Sequence, residues 1–152
     1  VKKLIGIGSD HGGFCLKAEI IKFLTKNGYE VKDFGTCGNE SVDYPDFGQA
    51  VAEAVSKGEC DKGIVICGTG IGISIAANKV KGIRAALCTD SYMAKMSREH
   101  NDSNILALGE RVLGLGAALD IVETWLDTKY VGGRHQLRLD KIAQIEEKYR
   151  NK

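Results

Sequence analysis

Cys67 closes the β-branched run Ile64-Val65-Ile66 and leads directly into Gly68-Thr69-Gly70-Ile71-Gly72-Ile73-Ser74. A cysteine ending a buried strand, next to glycines that bare backbone N–H groups at a helix start, makes an anion cradle with a base or nucleophile at its rim. The positive helix end and the N–H donors favour the thiolate, the form that takes a proton or attacks carbon. The plainer alternative is a small buried hydrophobe beside a tight turn, but the adjoining cradle favours chemistry. Two nucleotide readings of the same glycines fail. The spacing is G-x-G-x-G, with Ile73 where a dinucleotide loop needs a small residue, and the loop follows the third strand instead of the first. An ATP-binding P-loop would need a Lys-Ser or Lys-Thr pair after the glycines, and none follows.

Three other groups carry usable chemistry. Ser9-Asp10-His11-Gly12-Gly13 follows the first apolar run, which puts Asp10 and His11 on the same rim as Cys67; the alternative is a helix N-cap at Asp10 with His11 exposed. His100-Asn101-Asp102 offers an imidazole, an amide and a carboxylate for proton transfer and hydroxyl recognition, or else a plain Asx turn. Arg134 and Arg138 lie four apart, hence on one face of a helix that starts near Arg134, where two guanidinium forks match a phosphate. Alone, such a pair would be a solvated surface.

These groups need a frame to hold them. Apolar runs at residues 3–8, 29–34, 62–67, 83–88 and 105–108 read as strands. Helical spacing at Phe14, Ala18, Ile21 and Leu24, and over residues 46–56, 90–99 and 115–126, alternates with them, and the third helix starts at the glycine loop. Asn27-Gly28 is a helix stop, residues 35–43 a long loop, and residues 137–148 a last helix with Leu139, Ile142 and Ile145 on a stripe. That stripe packs on its own domain or on a partner subunit. The pattern predicts a single α/β domain over residues 1–152. It is a three-layer α/β/α sandwich around a five-stranded parallel Rossmann-like sheet, with an additional C-terminal helix and ligands bound beyond the strands' C-terminal ends.

Composition narrows the function. The 152 residues carry 21 basic and 20 acidic side chains, so no overall field holds nucleic acid or an anionic membrane surface. No apolar run approaches a membrane-spanning length and the chain opens directly on a strand pattern, so a cytoplasmic protein is expected. Five cysteines without a Cys-x-x-Cys pair or Cys/His ligand spacing argue against disulfides and structural zinc.

Taken in order, Ser9-Asp10-His11-Gly12-Gly13-Phe14, Asp43-Tyr44-Pro45, the Cys67–Ser74 loop, His100-Asn101-Asp102 and Gly132-Gly133-Arg134-His135-Gln136 resemble the type B ribose-5-phosphate isomerases, a family that includes the galactose-6-phosphate isomerase subunits. The resemblance implies a cofactor-free and metal-free aldose–ketose isomerase acting on ribose 5-phosphate and ribulose 5-phosphate. In it Cys67 is the proton-transferring base, His100 the ring-opening acid, and Gly68, Thr69, Gly70, Ile71 and Gly72 the loop that holds the enediolate. It also implies sugar contacts from Asp10, His11 and Asn101, phosphate contacts from Arg111, Arg134 and Arg138, and a site shared between subunits of a homodimer, alone or within a tetramer. Spacing alone makes no case for Arg111. One branch of the family replaces the cysteine by a glutamate early in the next helix, but residues 73–78 here contain no acid. Asp10 and Thr69 are both candidates for the hydroxyl proton. Competing readings are a galactose or allose 6-phosphate isomerase, a non-catalytic sugar-phosphate sensor, and a thiol switch at Cys67.

Overall fold

The computed structural model describes residues 3–150. The strands β1 (Leu4–Ser9), β2 (Glu30–Asp33), β3 (Lys62–Cys67), β4 (Ala85–Leu87) and β5 (Ile105–Gly109) alternate with helices α1 (Phe14–Lys26), α2 (Tyr44–Ser56), α3 (Ile71–Ala77), α4 (Ser91–Glu99) and α5 (Leu115–Asp127). A last helix, α6 (Arg134–Tyr149), has no strand after it among the described residues. All pairings are parallel, as the sequence pattern predicts, and the strand order is β2-β1-β3-β5-β4. No helix among the described residues is long and apolar enough to cross a membrane.

The alternation of side chains along β1 explains how the layers sit. Ile5 and Ile7 point to one face, where they join Ile64, Ile66, Leu106, Leu108 and Trp125 in a core covered by α1, α4 and α5. Gly6 and Gly8 point to the other face. A methyl group at Gly8 would come within 2.9 Å of the Val51 side chain, and one at Gly63 within 2.6 Å, so the two glycines let Val51 of α2 nest directly on the sheet. That second core also contains Val65, Ile73, Ala77 and Ile105.

Local signals set the ends of the elements. Gly28 has φ +86° and the Tyr29 N–H returns to the Leu24 carbonyl at 3.0 Å, closing α1 where Asn27-Gly28 predicts it. α2 starts at Tyr44, two residues before the expected position, because Pro45 sits in its first turn, where a missing N–H costs nothing. α6 starts at Arg134 and not near Leu137, since Gly132 and Gly133 break the chain with φ of +74° and +60° immediately before it. Of its predicted stripe only Leu139 is buried; Ile142 and Ile145 are exposed.

The sheet's edge strand is capped by a side chain. The Asn78 amide donates to the Ala85 carbonyl at 3.0 Å and accepts from its N–H at 2.8 Å, taking the place of a further strand. On the opposite flank, Lys17 is almost fully buried. Its ammonium meets Asp33 at 2.6 Å and the Thr36 carbonyl at 2.7 Å, which fixes the start of the 35–43 loop.

Candidate active site

The order of the strands decides which loops meet. From β1 the chain moves outward to β2 and then returns to place β3 on the other side of β1, so the crevice between the C-terminal ends of β1 and β3 lies at a topological switch point. Asp10 follows β1 there and Cys67 ends β3. Backbone bonds continue the pairing past the strands: Asp10 N–H to Ile66 O at 3.3 Å, Glu110 N–H to Cys67 O at 3.0 Å, and Arg111 N–H to Gly68 O at 3.0 Å. Asp10, Cys67 and Arg111 thus stand side by side on one rim.

Cys67 is 5% exposed and its Sγ accepts the Gly70 N–H at 3.1 Å. Gly70 makes that bond with φ +81°, and a methyl group on it would come within 2.8 Å of the Leu108 backbone and 2.6 Å of the Leu87 side chain. No residue but glycine fits there. Gly70→Ala is expected to lower kcat about 10²-fold with a folded protein, since it displaces the donor aimed at the sulfur; steady-state kinetics beside a thermal melt would show this. Thr69 is exposed, with its hydroxyl accepting the Ile71 N–H at 3.2 Å, and Ile71 is half exposed at the mouth of the loop.

The surrounding groups close in on this loop. A methyl group at Gly68 would lie 3.1 Å from one Arg111 guanidinium nitrogen, and one at Gly12 would lie 3.6 Å from the other. The two glycines let the Arg111 guanidinium lie across the gap between the β1 and β3 loops. No motif marks Arg111 in the sequence; the family resemblance names it, and this contact places it on the rim. Asp10 is indeed an N-cap: its Oδ1 accepts from Gly12 N–H at 2.9 Å and Gly13 N–H at 3.2 Å, at the start of one 3₁₀ turn (His11–Gly13). The capping and site readings of Asp10 are compatible, because the cap holds the carboxylate at the rim. His11 accepts the Val42 N–H on Nδ1 at 3.2 Å, which leaves Nε2 as the donor of the neutral ring. Tyr44, to which sequence reasoning assigns no role, lies over Gly72: a methyl group there would fall within 2.5 Å of its ring.

The remaining candidates are elsewhere. α4 runs back from the C-terminal end of β4, so His100, its C-cap, sits at the opposite edge of the sheet, just before β5 begins. The β3–β5 register pairs Gly63 with Ile105 and Cys67 with Gly109, so the two edges are about 13 Å apart along the strands. Arg134, His135 and Arg138 join His100 there: the His135 ring stacks on that of His100 with centroids 4.1 Å apart. Asn101 borders the groove between α6 and β4. In one chain, therefore, Cys67, the loop, Asp10, His11 and Arg111 come together, whereas His100, Asn101, Arg134 and Arg138 form a second group at the far edge.

Asp102 departs from the sequence reading. Its carboxylate meets Arg98 at 3.0 Å and Arg84 at 3.5 Å, while Arg98 also donates to the Ser103 carbonyl at 2.5 Å and to that of Thr128 at 3.2 Å. These bonds brace the turn that presents His100. Among the described residues no group of three or more His, Cys, Asp or Glu side chains is placed to hold a metal ion.

Residues 5–142 match the model of the Ribose/Galactose Isomerase family. The chain belongs to the ribose/galactose isomerase family. Ribose-5-phosphate isomerase B of Escherichia coli (strain K12) is 54% identical over 146 residues, covering 96% of this chain and 98% of that protein. Among solved structures, ribose-5-phosphate isomerase B of Clostridium thermocellum superposes with a TM-score of 0.96 at 75% identity, covering 96% of this chain and 99% of that one. The type B ribose 5-phosphate isomerase of Trypanosoma brucei gives 0.93 at 46% identity, covering 96% and 100%. In this ribose/galactose isomerase the α/β sandwich read from the sequence is the family's own fold.

Proposed function

We propose that this ribose/galactose isomerase interconverts D-ribose 5-phosphate and D-ribulose 5-phosphate through a cis-enediolate, with Cys67 as the base. The observation that carries the reading is the Cys67 thiol at the switch point, hydrogen-bonded by the Gly70 N–H, with Asp10, His11 and Arg111 around it. The thiolate removes the C2 proton of the opened aldose and returns it at C1. The backbone N–H groups of the Gly68–Gly72 loop other than those of Gly70 and Ile71, which bond the sulfur and the Thr69 hydroxyl, face the oxygen on which negative charge grows, where each donor contributes about 3 kcal/mol. Asp10 or Thr69 relays the hydroxyl proton. A proton is taken from one carbon and a proton is returned to its neighbour, so the reaction is redox-neutral overall and asks for no nicotinamide or flavin.

Ring opening needs an acid, and the distant position of His100 supports a site built from two chains. The partner subunit's His100 protonates the ring oxygen, the partner's Asn101 contacts the sugar hydroxyls, and the partner's Arg134 and the partner's Arg138 join Arg111 on the phosphate. Two arginine forks on one helix face suit a dianion, and fixing it aligns the reacting carbons. The half-exposed Ile71 and Ile75, one turn apart on α3 beside the loop, together with exposed Tyr92 and Met93 on α4, supply an apolar face for the second copy. Five free cysteines, three of them buried, accord with a cytoplasmic enzyme.

The test is ketose formation from ribose 5-phosphate, allose 6-phosphate and galactose 6-phosphate in EDTA without added cofactor. Rapid formation of ribulose 5-phosphate is expected. Preference for a hexose phosphate would keep the chemistry and change the substrate, and a folded protein that converts none of the three would overturn the isomerase reading in favour of a sugar-phosphate sensor.

A further inference from the structure

His135 has no part in the steps above, yet it is one of only two buried residues of α6, the other being Leu139. Its ring lies flat against His100, with centroids 4.1 Å apart and planes within 14°. The two rings arrive from separate elements, one capping α4 and the other in the first turn of α6. The intervening chain is pinned by the Val131 N–H to Glu99 O bond at 3.1 Å and by the Tyr130 hydroxyl donating to Gln136 at 3.0 Å. Burial is the chief influence holding the His135 imidazole below its ordinary range; His100, Arg134 and Arg138 push the same way and Glu99 opposes them. At neutral pH His135 is a neutral ring that turns its π face to His100.

We propose that His135 is a positioning residue for ring opening: its stacked ring fixes the plane of His100 and leaves to His100 alone the proton delivered to the sugar. The proposal rests on the reading of His100 as the ring-opening acid. Opening breaks the C1–O4 bond, whose electron pair stays on O4. O4 takes the proton of the His100 imidazolium, and the O1 hydroxyl proton passes to solvent as the C1 carbonyl forms. The neutral His100 is then reprotonated from solvent.

The chemistry of the two substrates isolates this step. Ribose 5-phosphate closes a furanose through O4, whereas ribulose 5-phosphate has its O5 esterified and cannot close a five-membered ring on C2. Exchange of the C1 hydrogen of ribulose 5-phosphate with D2O therefore needs Cys67 and the enediolate but no ring opening. Both initial rates, exchange and the conversion of ribose 5-phosphate, are read by NMR. His135→Leu keeps the volume buried without a flat face, His135→Ala removes both, and His135→Phe keeps a ring that cannot carry a proton.

The Leu and Ala variants are expected to lose about ten-fold in ribose 5-phosphate turnover with exchange nearly unchanged, and Phe to restore most of the loss. Unchanged turnover, or turnover and exchange falling together in whichever variant folds, overturns the proposal. His100→Asn keeps the two readings apart. If it spares ribose 5-phosphate turnover, the acid assignment itself fails; if it separates the two rates while the His135 variants do not, only the role of His135 fails.

Discussion

Cys67→Ala is expected to abolish isomerisation in a chain that still folds: kcat for ribose 5-phosphate should fall by about 10³-fold or more, with KM little changed. The size follows from the sulfur's position. In the proposed mechanism it is the group that takes up the carbon-bound proton, and residues 73–78 of the adjoining helix offer no acid in its place. The structural cost is small, about 1 kcal/mol for one buried atom, so a thermal melt should shift by only a few degrees. Cys67→Ser sharpens the test. A hydroxyl keeps the volume and can accept the Gly70 N–H that now reaches the sulfur at 3.1 Å, but it does not ionise near neutral pH. Serine should be as inactive as alanine, and deuterium exchange at C1 of ribulose 5-phosphate should vanish in both. Turnover within ten-fold of the parent in either variant would remove Cys67 as the base.

How far such a site can be read from sequence depends on whether its chemistry is contiguous. The thiol and its cradle are eight successive residues, and the strand before them announces itself by β-branched residues, so the loop was legible at once. Asp10 and His11 were legible for the same reason, each following a short apolar run. Arg111 was not, because its place depends on two glycines, Gly12 and Gly68, that leave room for a guanidinium across two loops. Family resemblance supplied it. Asp102 shows the opposite failure: its residue type and neighbours suggested chemistry, but Arg84 and Arg98, which occupy its carboxylate, are brought to it only by the fold. His135 stood inside a recognised motif with no role, since a ring stack between α4 and α6 leaves no trace in spacing.

Two inactive proteins should become active on mixing. Cys67→Ala lacks the base and His100→Asn the acid, and each alone is expected to be nearly dead on ribose 5-phosphate. If every site takes Cys67 from one subunit and His100 from the other, a mixed dimer of the two variants has one site with both groups lost and one with both intact. After equal subunits have been allowed to exchange, half of the dimers are mixed, and activity should rise to about a quarter of the parent's. The geometry of the single chain is what supports this outcome. Cys67 and His100 lie at opposite edges of the same sheet, separated by the length of β3 and β5, and α4 and α6 hold His100 at its edge through the Arg98 bonds and the His135 stack. Moving His100 to the thiol within one chain would mean unpicking both. Mixed samples that stay inactive, while size-exclusion and mass measurements show the exchange to be complete, would mean that each chain assembles its own site. The acid would then have to be sought on the Cys67 rim, at His11, whose Nδ1 accepts the Val42 N–H and so directs Nε2 to act as the donor.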